Sequence, residues 1–424
     1  MEIIETHDRS AHPELAPRFM HILTEGASDG TAAAGLAKEE TAGPALALAL
    51  MSDAVQRGAT DVHIDPCDEY DLVRFRIDGT LANAVSMPPA AGRRLINQFR
   101  VLCKVDPTDL EVQDGNWAGD LAGREMHIRA TFVPTVYGEK MAARILDRSL
   151  SHMHLNEIGL SDDAIEIIDR HIHSLSGLIM ATGPTGSGKT VTLFSMLNEI
   201  DLETHSVVTL EDPVEYQNPV FTQIAVSEST GINFENGIGT LLRLDPDYLL
   251  IGETRDPRTA KAMVRAAGSG RAVLTTAHAE DAEGVVDSLR SWSLENREIA
   301  SALRLVIGQR LVRTLCPHCS IRGKPSDSDQ RWARSCGVKL PARVPQAMGC
   351  DECYGLGYRG RTGLFQVWEL SESEIDQIGS GVPARTIRAS RHKAGIPTMA
   401  QIAMEKVQQE GTTVAELRRA SLPC

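Results

Sequence analysis

The sequence predicts an α/β fold, in which helices cover both faces of a mostly parallel sheet, with a smaller α+β domain before it. Four apolar runs alternate with helical segments after residue 177, and this order is typical of parallel strands joined by crossover helices. A glycine-rich turn joins the first run to a helix. A chain of 424 residues is too long for one ordinary hydrophobic core, which favours two or three domains. The runs are GLIMATG, SVVTLEDP, YLLIGE and AVLTTAH.

The charge balance is acidic, with 43 lysines and arginines against 57 acidic residues and a net charge of −14. This balance disfavours loose electrostatic binding to nucleic acid or anionic lipid. No apolar stretch approaches the ~20 residues that cross a bilayer. The first ten residues, MEIIETHDRS, carry acids where a secretory signal is basic. We therefore expect a cytoplasmic protein that reaches a membrane only through partners.

The first part of the chain divides into a lead and a small domain. Residues 1–45 are rich in Ala, Gly, Glu and Thr and are predicted to be flexible, with one helix near 15–23. Residues 46–150 are predicted to form the α+β domain, with helices over 45–57 and 91–101. Its predicted strands are TDVHIDP, DLVRFRIDGTLA, EMHIRATFV and EKMAARIL.

The second part begins with a linker and a leading helix over 151–172. Ser161 is its predicted cap, with two aspartates in the first turn, where they favour the helix dipole. Residues 173–424 are predicted to form the larger domain. Within it lie a four-cysteine element over 314–366 and C-terminal helices over 370–424.

The glycine-rich turn is GPTGSGKT, residues 183–190, and it fits the pattern GxxxxGK[ST] between a strand and a helix. Its main-chain N–H groups can point inward at phosphate oxygens, and the helix N-terminus adds positive potential. Lys189 is suited to the β- and γ-phosphates, and Thr190 to a Mg²⁺ ion. A turn that merely packs a helix on a strand is the alternative, and eight matching positions disfavour it. The predicted binding residues are Gly183, Pro184, Thr185, Gly186, Ser187, Gly188, Lys189 and Thr190.

Acidic residues end two of the later strands. Glu211 and Asp212 follow one strand and Glu253 follows another, at the edge where a phosphate loop needs groups for magnesium and water. A single acid at such a place is more often a helix cap or a solvated end, but two such ends favour function. His278 follows a further strand. It could donate a hydrogen bond to the γ-phosphate, or it could be an ordinary surface histidine.

Eight cysteines include two CxxC pairs, Cys316 with Cys319 and Cys350 with Cys353. Four thiolates suffice for a closed tetrahedral zinc site, which leaves no position for catalysis, so we expect a structural metal. The thirty residues between the pairs, 320–349, exceed the usual interval, but extra loop length costs only about 0.4 kcal/mol. Unpaired structural cysteines are the alternative. His318 and Cys336 are further candidate ligands.

Together these motifs resemble those of the ATPases of type II secretion and type IV pilus assembly. LEDPVEY is similar to that family's aspartate box, LLRLDPDYLLIGETRD to its Walker B segment and TTAHAEDA to its histidine box. ATDVHIDP, VRFRIDG, VQDG and IRATFVPTVYGEKMAARIL resemble its N-terminal domain. The cysteine element followed by GYRGRTGLFQVWEL resembles the assembly and secretion branch. The resemblance covers residues 46–424.

The resemblance implies a RecA-like P-loop ATPase domain with a smaller PAS-like domain and a zinc knuckle, closed into a homo-hexamer. ATP and Mg²⁺ are the implied cofactors, with structural Zn²⁺. The implied partner is an inner-membrane platform protein of a pilus or secretion machine, and no nucleic acid is expected.

The resemblance also implies roles for single residues. Glu253 would act on magnesium and the attacking water, and Glu211 would share in activating that water, with Asp212 in support. His278 would sense the γ-phosphate. Arg129 and Arg144 match arginines that reach the nucleotide at a subunit boundary. Arg74 and Arg76 are weaker candidates, and every one of these arginines could instead lie on a solvated strand face.

The sequence also departs from the family pattern. Ser269-Gly270-Arg271 stands where Thr-Gly-His is usual, and Ala279-Glu280 stands where Thr-Asn is usual. Asn116 and Arg258 replace an arginine and a glutamate. The phosphate loop is intact, so the departures bear on turnover and coupling. Two rivals stay open, a ring that translocates nucleic acid and an ATP-gated scaffold with little turnover. Residues 1–45 or the cysteine element are the expected docking segments.

Overall fold

The computed structural model describes most of the chain as two compact units. One unit holds the described residues up to Ser149 together with Cys316–Cys319 and Met348–Gly360, and the other holds the rest from Leu150 onward. The helix predicted near 15–23 lies outside the described residues. The domain boundaries given above, at residues 45, 150 and 172, remain predictions. The described ranges are 44–106, 108–109, 111–227, 229–254 and 256–423.

The first unit is built on a six-stranded antiparallel sheet of order β3-β2-β1-β6-β5-β4. Two helices, α1 and α2, pack on one face, and alternate strand residues enter that core, as in the burial pattern of β2. The elements are α1 (Ala45–Gln56), β1 (Ala59–Pro66), β2 (Asp71–Ile77), β3 (Thr80–Met87), α2 (Pro89–Leu102), β4 (Gln113–Leu121), β5 (Arg124–Thr135) and β6 (Gly138–Asp147).

Two features of this sheet differ from the prediction. The stretch DLVRFRIDGTLA is not one strand, because Asp78 and Gly79 take positive φ angles of 47° and 80° and turn the chain between β2 and β3. Strand β4 was missed. Its burial alternates between exposed and half-buried positions, and its sequence QDGNWAGDL lacks the apolar alternation that marks a strand.

The second unit is built on a seven-stranded sheet of order β15-β12-β7-β11-β10-β8-β9, in which the run from β12 to β9 is parallel. A two-stranded ribbon, β13 with β14, lies apart from it. The strands are β7 (Gly177–Thr182), β8 (Val207–Glu211), β9 (Thr222–Ala225), β10 (Tyr248–Ile251), β11 (Ala272–Ala277), β12 (Leu303–Leu315), β13 (Ile321–Gly323), β14 (Val344–Gln346) and β15 (Tyr358–Glu369).

Helices cover both faces of this sheet, which confirms the predicted fold class. The helices are α3 (Asp162–Ile172), α4 (Lys189–Leu197), α5 (Phe234–Leu241), α6 (Pro257–Ala267), α7 (Gly284–Ser291), α8 (Asn296–Ala302), α9 (Asp327–Ser335), α10 (Glu372–Gly379), α11 (Ala384–Lys393), α12 (Met399–Gln408) and α13 (Val414–Arg419). Among the described helices none is long and apolar enough to cross a bilayer.

The central strands are buried along their whole length because each supplies two cores. In β7, Leu178 and Met180 pack in the core on one face, and Ile179 and Ala181 pack in the core on the other. This two-sided burial explains why these strands read as continuous apolar runs. The parallel register brings the carboxyl ends of β7, β11, β10 and β8 to one edge of the sheet.

Candidate functional site

The phosphate loop, residues 183–190, leaves the edge of β7 and enters α4 through backbone conformations that glycine allows. Gly183, Gly186 and Gly188 have φ angles of 151°, 77° and 86°. A Cβ on Gly183 would also lie 2.3 Å from the carbonyl oxygen of Gln309 and 2.8 Å from Ser187 Oγ. The loop therefore needs glycine for both conformation and space, and it delivers Lys189 to the first position of α4.

Lys189 is a cation held largely away from water, with a 9% exposed side chain. Its Nζ donates to the carbonyl oxygens of Gly183 at 2.8 Å and Pro184 at 3.1 Å. Burial, then repulsion by Arg310, lowers the pKa of Lys189 to about 8, against the opposing effect of Glu253 and a second glutamate. An anion beside Nζ would restore the favoured charge.

Ser187 gives a second indication of what the loop could hold. Its Oγ is buried and makes no hydrogen bond with the residues that the structure describes. Buried hydroxyls in folded proteins nearly always have a partner. A phosphate oxygen would supply one, so the chemistry of the loop fits a nucleotide phosphate.

Glu211 and Glu253 lie at the same edge of the sheet as the loop. Glu211 ends β8, is 4% exposed, and accepts hydrogen bonds from Thr209 Oγ1 at 2.7 Å and Gln223 Nε2 at 3.0 Å. Burial raises its pKa, an effect that outweighs those two hydrogen bonds. Glu253 follows β10, is half-buried, and lies near enough to Lys189 to favour the charged lysine.

The structure separates Asp212 from these two glutamates by exposure. Asp212 is exposed at the start of the turn after β8, whereas Glu211 points into the protein. The carboxylates together with the half-buried Thr190 hydroxyl are hard oxygen ligands of the kind that Mg²⁺ prefers. The donor set at this edge therefore fits a magnesium ion.

Glu215 is a site residue that sequence reasoning missed. Its negative charge acts on both Lys189 and Glu211, favouring the charged lysine and raising the pKa of Glu211. It lies four residues beyond the end of β8, so a search confined to strand ends does not find it. The signal in the sequence was the third acid of LEDPVEY.

His278 follows β11 and is exposed at the same edge. The next residue is anchored to the end of β7, because Ala279 N donates to Thr182 Oγ1 at 3.0 Å. The ring belongs to an open cleft of about 420 Å³ that is also lined by Asp281 and Arg388. The strand order thus brings the histidine, the glutamates and the phosphate loop together.

Arg129 and Arg144 lie in the first unit, on the polar face of its sheet. They are directly opposite each other on β5 and β6, and both are exposed. The same row continues through Asp61 on β1 to Arg76 on β2. Arg144 Nε lies 3.2 Å from an Asp61 oxygen, and Arg76 Nε lies 3.4 Å from the other.

Arg74 belongs to the next row of this face and has a different partner. Arg74 and Lys140 both pair with Asp65, at 2.7 and 2.6 Å. These two ion pairs hold the pKa of the Asp65 carboxyl below its usual range despite its burial. The Arg74 side chain is 30% exposed and pairs within its own sheet, whereas the Arg144 side chain is 61% exposed.

The four cysteines of the two CxxC pairs converge, with all Sγ atoms within 4.8 Å of one another. The Sγ separations are 3.9 Å for Cys316 and Cys350, 3.8 Å for Cys319 and Cys353, and 3.7 Å for Cys350 and Cys353. A tetrahedral zinc with bonds of about 2.3 Å separates its sulfurs by about 3.8 Å. The cluster therefore fits a zinc ion.

The main chain around the cysteines is also arranged for thiolates. Cys353 Sγ accepts from the N–H groups of Gly357 at 3.1 Å and Cys350 at 3.2 Å, and Cys319 Sγ accepts from Gly349 N at 3.3 Å. Such donors stabilise sulfur ligands. Neither His318 nor Cys336 belongs to the cluster, and Cys336 is disulfide-bonded.

Comparison with known proteins places the chain in a family. The profile of the family described as "Type II/IV secretion system protein" matches residues 37–419. Type II secretion system protein HxcR of Pseudomonas aeruginosa is 33% identical over 374 residues, 88% of this chain and 76% of its own. Type II secretion system ATPase E of Vibrio cholerae is 32% identical, with 88% and 74% covered. Type IV pilus assembly ATPase PilB of Myxococcus xanthus is 31% identical, with 87% and 66% covered.

Solved structures support the same fold. The Legionella pneumophila ATPase DotB aligns over 89% of this chain and 95% of its own, with a TM-score of 0.67 and 19% identity. The pilus retraction motor PilT aligns over 88% and 96%, with a TM-score of 0.58 and 21% identity. The chain belongs to the Type II/IV secretion system protein family and, within it, resembles the type II secretion and type IV pilus assembly ATPases.

Proposed function

We propose that this protein is a Mg²⁺-dependent ATPase that closes into a homo-hexamer and powers type IV pilus assembly or type II secretion. The observation that carries the proposal is the buried Lys189, its pKa lowered to about 8, in a phosphate loop at the sheet edge where Glu211 and Glu253 follow their strands. Membership of a family whose named relatives are secretion and pilus ATPases supports it.

In this proposal the phosphate loop binds ATP through its main-chain N–H groups and Lys189. Thr190 and Glu253 would hold a Mg²⁺ ion, which would neutralise the charge that develops on the phosphate oxygens, and Asp212 would support Glu211. Glu211 takes a proton from the attacking water, a task that suits a carboxylate whose pKa is raised by burial. His278 donates to the γ-phosphate.

The arginines complete the proposed site from a neighbouring protomer. Arg129 and Arg144 would approach the phosphates across a subunit boundary and stabilise the charge of the transition state. A contribution of roughly 10³ or more in rate is typical of such arginines. Their exposure on one face of the first sheet makes them available for this role.

The proposed work of the ring is mechanical. Each hydrolysis step would move the first unit of one chain and pass force to an inner-membrane platform protein, which extrudes pilin subunits. The chain would act in the cytoplasm and meet the membrane only through that partner, with no nucleic acid involved. Cys316, Cys319, Cys350 and Cys353 would hold a structural zinc ion, because a closed four-sulfur shell has no open position.

Phosphate release by the purified full-length chain tests the enzymatic part of the proposal. We expect Mg²⁺-dependent release that Lys189→Ala abolishes while the thermal transition stays cooperative. Lys261→Ala is the matched control, because Lys261 is an exposed lysine on α6. Undiminished release by Lys189→Ala would contradict the proposal.

Two further measurements separate the rivals. Strong stimulation by single- or double-stranded DNA would favour a ring that translocates nucleic acid. Trace turnover that neither oligomerisation nor a membrane partner raises would favour an ATP-gated scaffold.

A further inference from the structure

Strand β12 runs beside the phosphate-loop strand and carries two buried polar side chains that the proposed chemistry does not use. Its parallel register places Gly308 opposite Thr182, so the two residues that follow run alongside the phosphate loop. These residues are Gln309 and Arg310, which are 2% and 5% exposed. Polar groups at that depth need specific partners.

Gln309 fastens the phosphate loop to its helix. Its Nε2 donates to the carbonyl oxygen of Ser187 at 2.7 Å, and its Oε1 accepts from Thr192 Oγ1 at 2.8 Å. One amide thus joins the loop main chain to the first turn of α4. Gln309 contacts the loop from the β12 side of β7, which is opposite to the side where β8 and Glu211 lie.

Arg310 extends the connection to the histidine-box loop, residues 278–281. Its Nη2 donates to the carbonyl oxygen of Glu280 at 2.6 Å, and its Nη1 donates to the carbonyl oxygen of Gln309 at 3.0 Å. Its Nε is buried and has no hydrogen-bond partner among the described residues. A guanidinium can span two such acceptors with a rigid fork, whereas an ammonium cannot.

The histidine-box loop is held on its other side by α11. Asp281 pairs with Arg388 of that helix, and its Oδ1 accepts from Gly284 N at 2.8 Å. Arg391, one turn further along α11, lies 2.7 Å from an oxygen of Glu283. The loop that carries His278 therefore lies between two anchors, β12 and α11.

The charge of Arg310 also reaches the phosphate loop. Burial lowers the pKa of Arg310, an effect that the nearby Asp281 and Glu280 carboxylates oppose. Arg310 is the main charge that lowers the pKa of Lys189. Removing the Arg310 charge would let Lys189 keep its proton more easily, which offsets the loss of one nearby cation for a bound anion.

We propose that Arg310 is a positioning residue for ATP hydrolysis, whose guanidinium sets the place of the histidine-box loop relative to the phosphate loop. The inference rests on the ATPase function proposed above. Arg310 contacts the main chain at Glu280, two residues after His278, and through this contact it fixes the position of His278. It binds neither the metal nor the attacking water.

The test compares Arg310→Met and Arg310→Lys with Arg265→Met in the full-length protein. Arg265 is an exposed arginine in the last turn of α6, so Arg265→Met makes the same chemical change outside the described contacts and is expected to keep the wild-type kcat. We expect both Arg310 variants to lose about 10- to 100-fold in kcat, as misplaced catalytic groups do. The Kd for a fluorescent ATP analogue should change less than about threefold, because the loop N–H groups and Lys189 remain.

A double-variant cycle with His278→Ala gives a readout that a merely structural role would not move. If Arg310 acts through His278, the double variant is no slower than the slower single variant, because both changes remove one function. Losses that multiply, an unchanged kcat in Arg310→Met, or a Kd that rises in step with the fall in kcat would each overturn the inference. Thermal melting monitors folding, and Arg310→Lys carries the test if Arg310→Met unfolds.

The outcomes also separate this inference from the proposed function. A wild-type chain that hydrolyses ATP while Arg310→Met hydrolyses it equally well defeats the inference alone. A wild-type chain that binds the analogue and releases no phosphate defeats both.

Discussion

At the scale of single residues, the balance of burial and charge around Lys189 sets the chemistry of the candidate site. A lysine at the first position of a helix in a glycine-rich turn would be unremarkable if it were solvated. Here it is 9% exposed and has its pKa lowered to about 8. A bound anion would therefore stabilise the site, because it would add an opposite charge beside a buried ammonium group that otherwise contacts only neutral carbonyl oxygens in the described loop.

This lowered pKa predicts how nucleotide affinity depends on pH. A phosphate beside Lys189 would raise its pKa, so binding above pH 8 takes up a proton and weakens as the pH rises. We expect the Kd for ATP to increase roughly tenfold between pH 7 and pH 9 as the free lysine loses its proton. Titration of a fluorescent ATP analogue at fixed ionic strength measures this. Lys189→Ala should bind weakly with a flat profile over the same range, and a flat profile in the wild type would contradict the proposed role of the lysine.

The candidate catalytic and binding residues were predictable from the sequence, whereas the residues that surround and support them were not. The run from Gly183 to Thr190 and the acids at strand ends follow from local patterns, and the sheet order brings them to one edge. Glu215 and Arg310 were missed for different reasons. Glu215 lies beyond a strand end. Arg310 looks like one more charged residue in LVIGQRLVRTL, and its contact with the histidine-box loop, 30 residues earlier, leaves no local signal.

At the scale of elements, the C-terminal helix α13 is fastened to β12 by one buried carboxylate. Glu416 is 0% exposed and accepts from Arg313 Nη2 at 2.8 Å and Arg419 Nε at 2.7 Å. These arginines lower its pKa despite burial. The pair was not predictable, since 103 residues separate Arg313 from Glu416.

Replacing this carboxylate tests that fastening. Glu416→Gln leaves the half-buried Arg313 without its counter-charge, and breaking such a pair costs about 3 kcal/mol in the free energy of unfolding. Because the folded pKa is lowered, the stabilisation is present above the ordinary carboxyl range and is lost as the pH falls through the folded pKa. Urea denaturation at pH 7 and at pH 4 should show a smaller difference between variant and wild type in acid. Glu405→Gln on the exposed face of α12 is the control.

The cysteine element depends on one glycine as well as on its sulfurs. A Cβ on Gly349, whose φ is 95°, would lie 2.4 Å from the carbonyl oxygen of Gly355. Gly349→Ala is therefore expected to displace Cys350 and reduce bound zinc, as Cys353→Ser should. Metal analysis of the purified protein gives about one zinc per chain for the wild type if the cluster is a zinc site. Gly337→Ala is a control, because its φ of 64° is equally unusual but nothing lies within 4 Å of its Cβ. A full zinc content in Cys353→Ser would contradict the assignment.

Elements were predictable where both faces of a strand are buried and less so where one is not. The four strands that lead to the site are buried throughout and read as apolar runs, so their positions agree with the prediction. Strand β4 carries Asp114 and Asn116 beside two glycines, and only its partner β5 makes it a strand. The turn at Asp78-Gly79 was readable from its DG pair, which favours a hairpin.

At the scale of the whole molecule, the proposed ATPase would draw the groups of each site from two chains. The candidate phosphate site lies in the second unit, and the exposed Arg129 and Arg144 lie in the first. In a closed ring with head-to-tail contacts, every first unit could serve the phosphate loop of a neighbour. This arrangement is the central claim, because it makes turnover a property of the assembly.

Mixing two inactive variants tests this claim most directly. Lys189→Ala keeps the arginines but lacks the lysine of the phosphate loop, and Arg144→Ala keeps the loop but lacks one arginine. Each variant alone should therefore hydrolyse almost no ATP. The two variants are mixed in equal amounts under conditions where subunits exchange without unfolding. If the arginine acts in a neighbouring chain, about a quarter of the sites should then combine an intact phosphate loop with an intact arginine. We expect phosphate release to rise after mixing towards that fraction of the wild-type rate. Mixed protein that stays as inactive as its parents, or Arg144→Ala that is fully active alone, would contradict it.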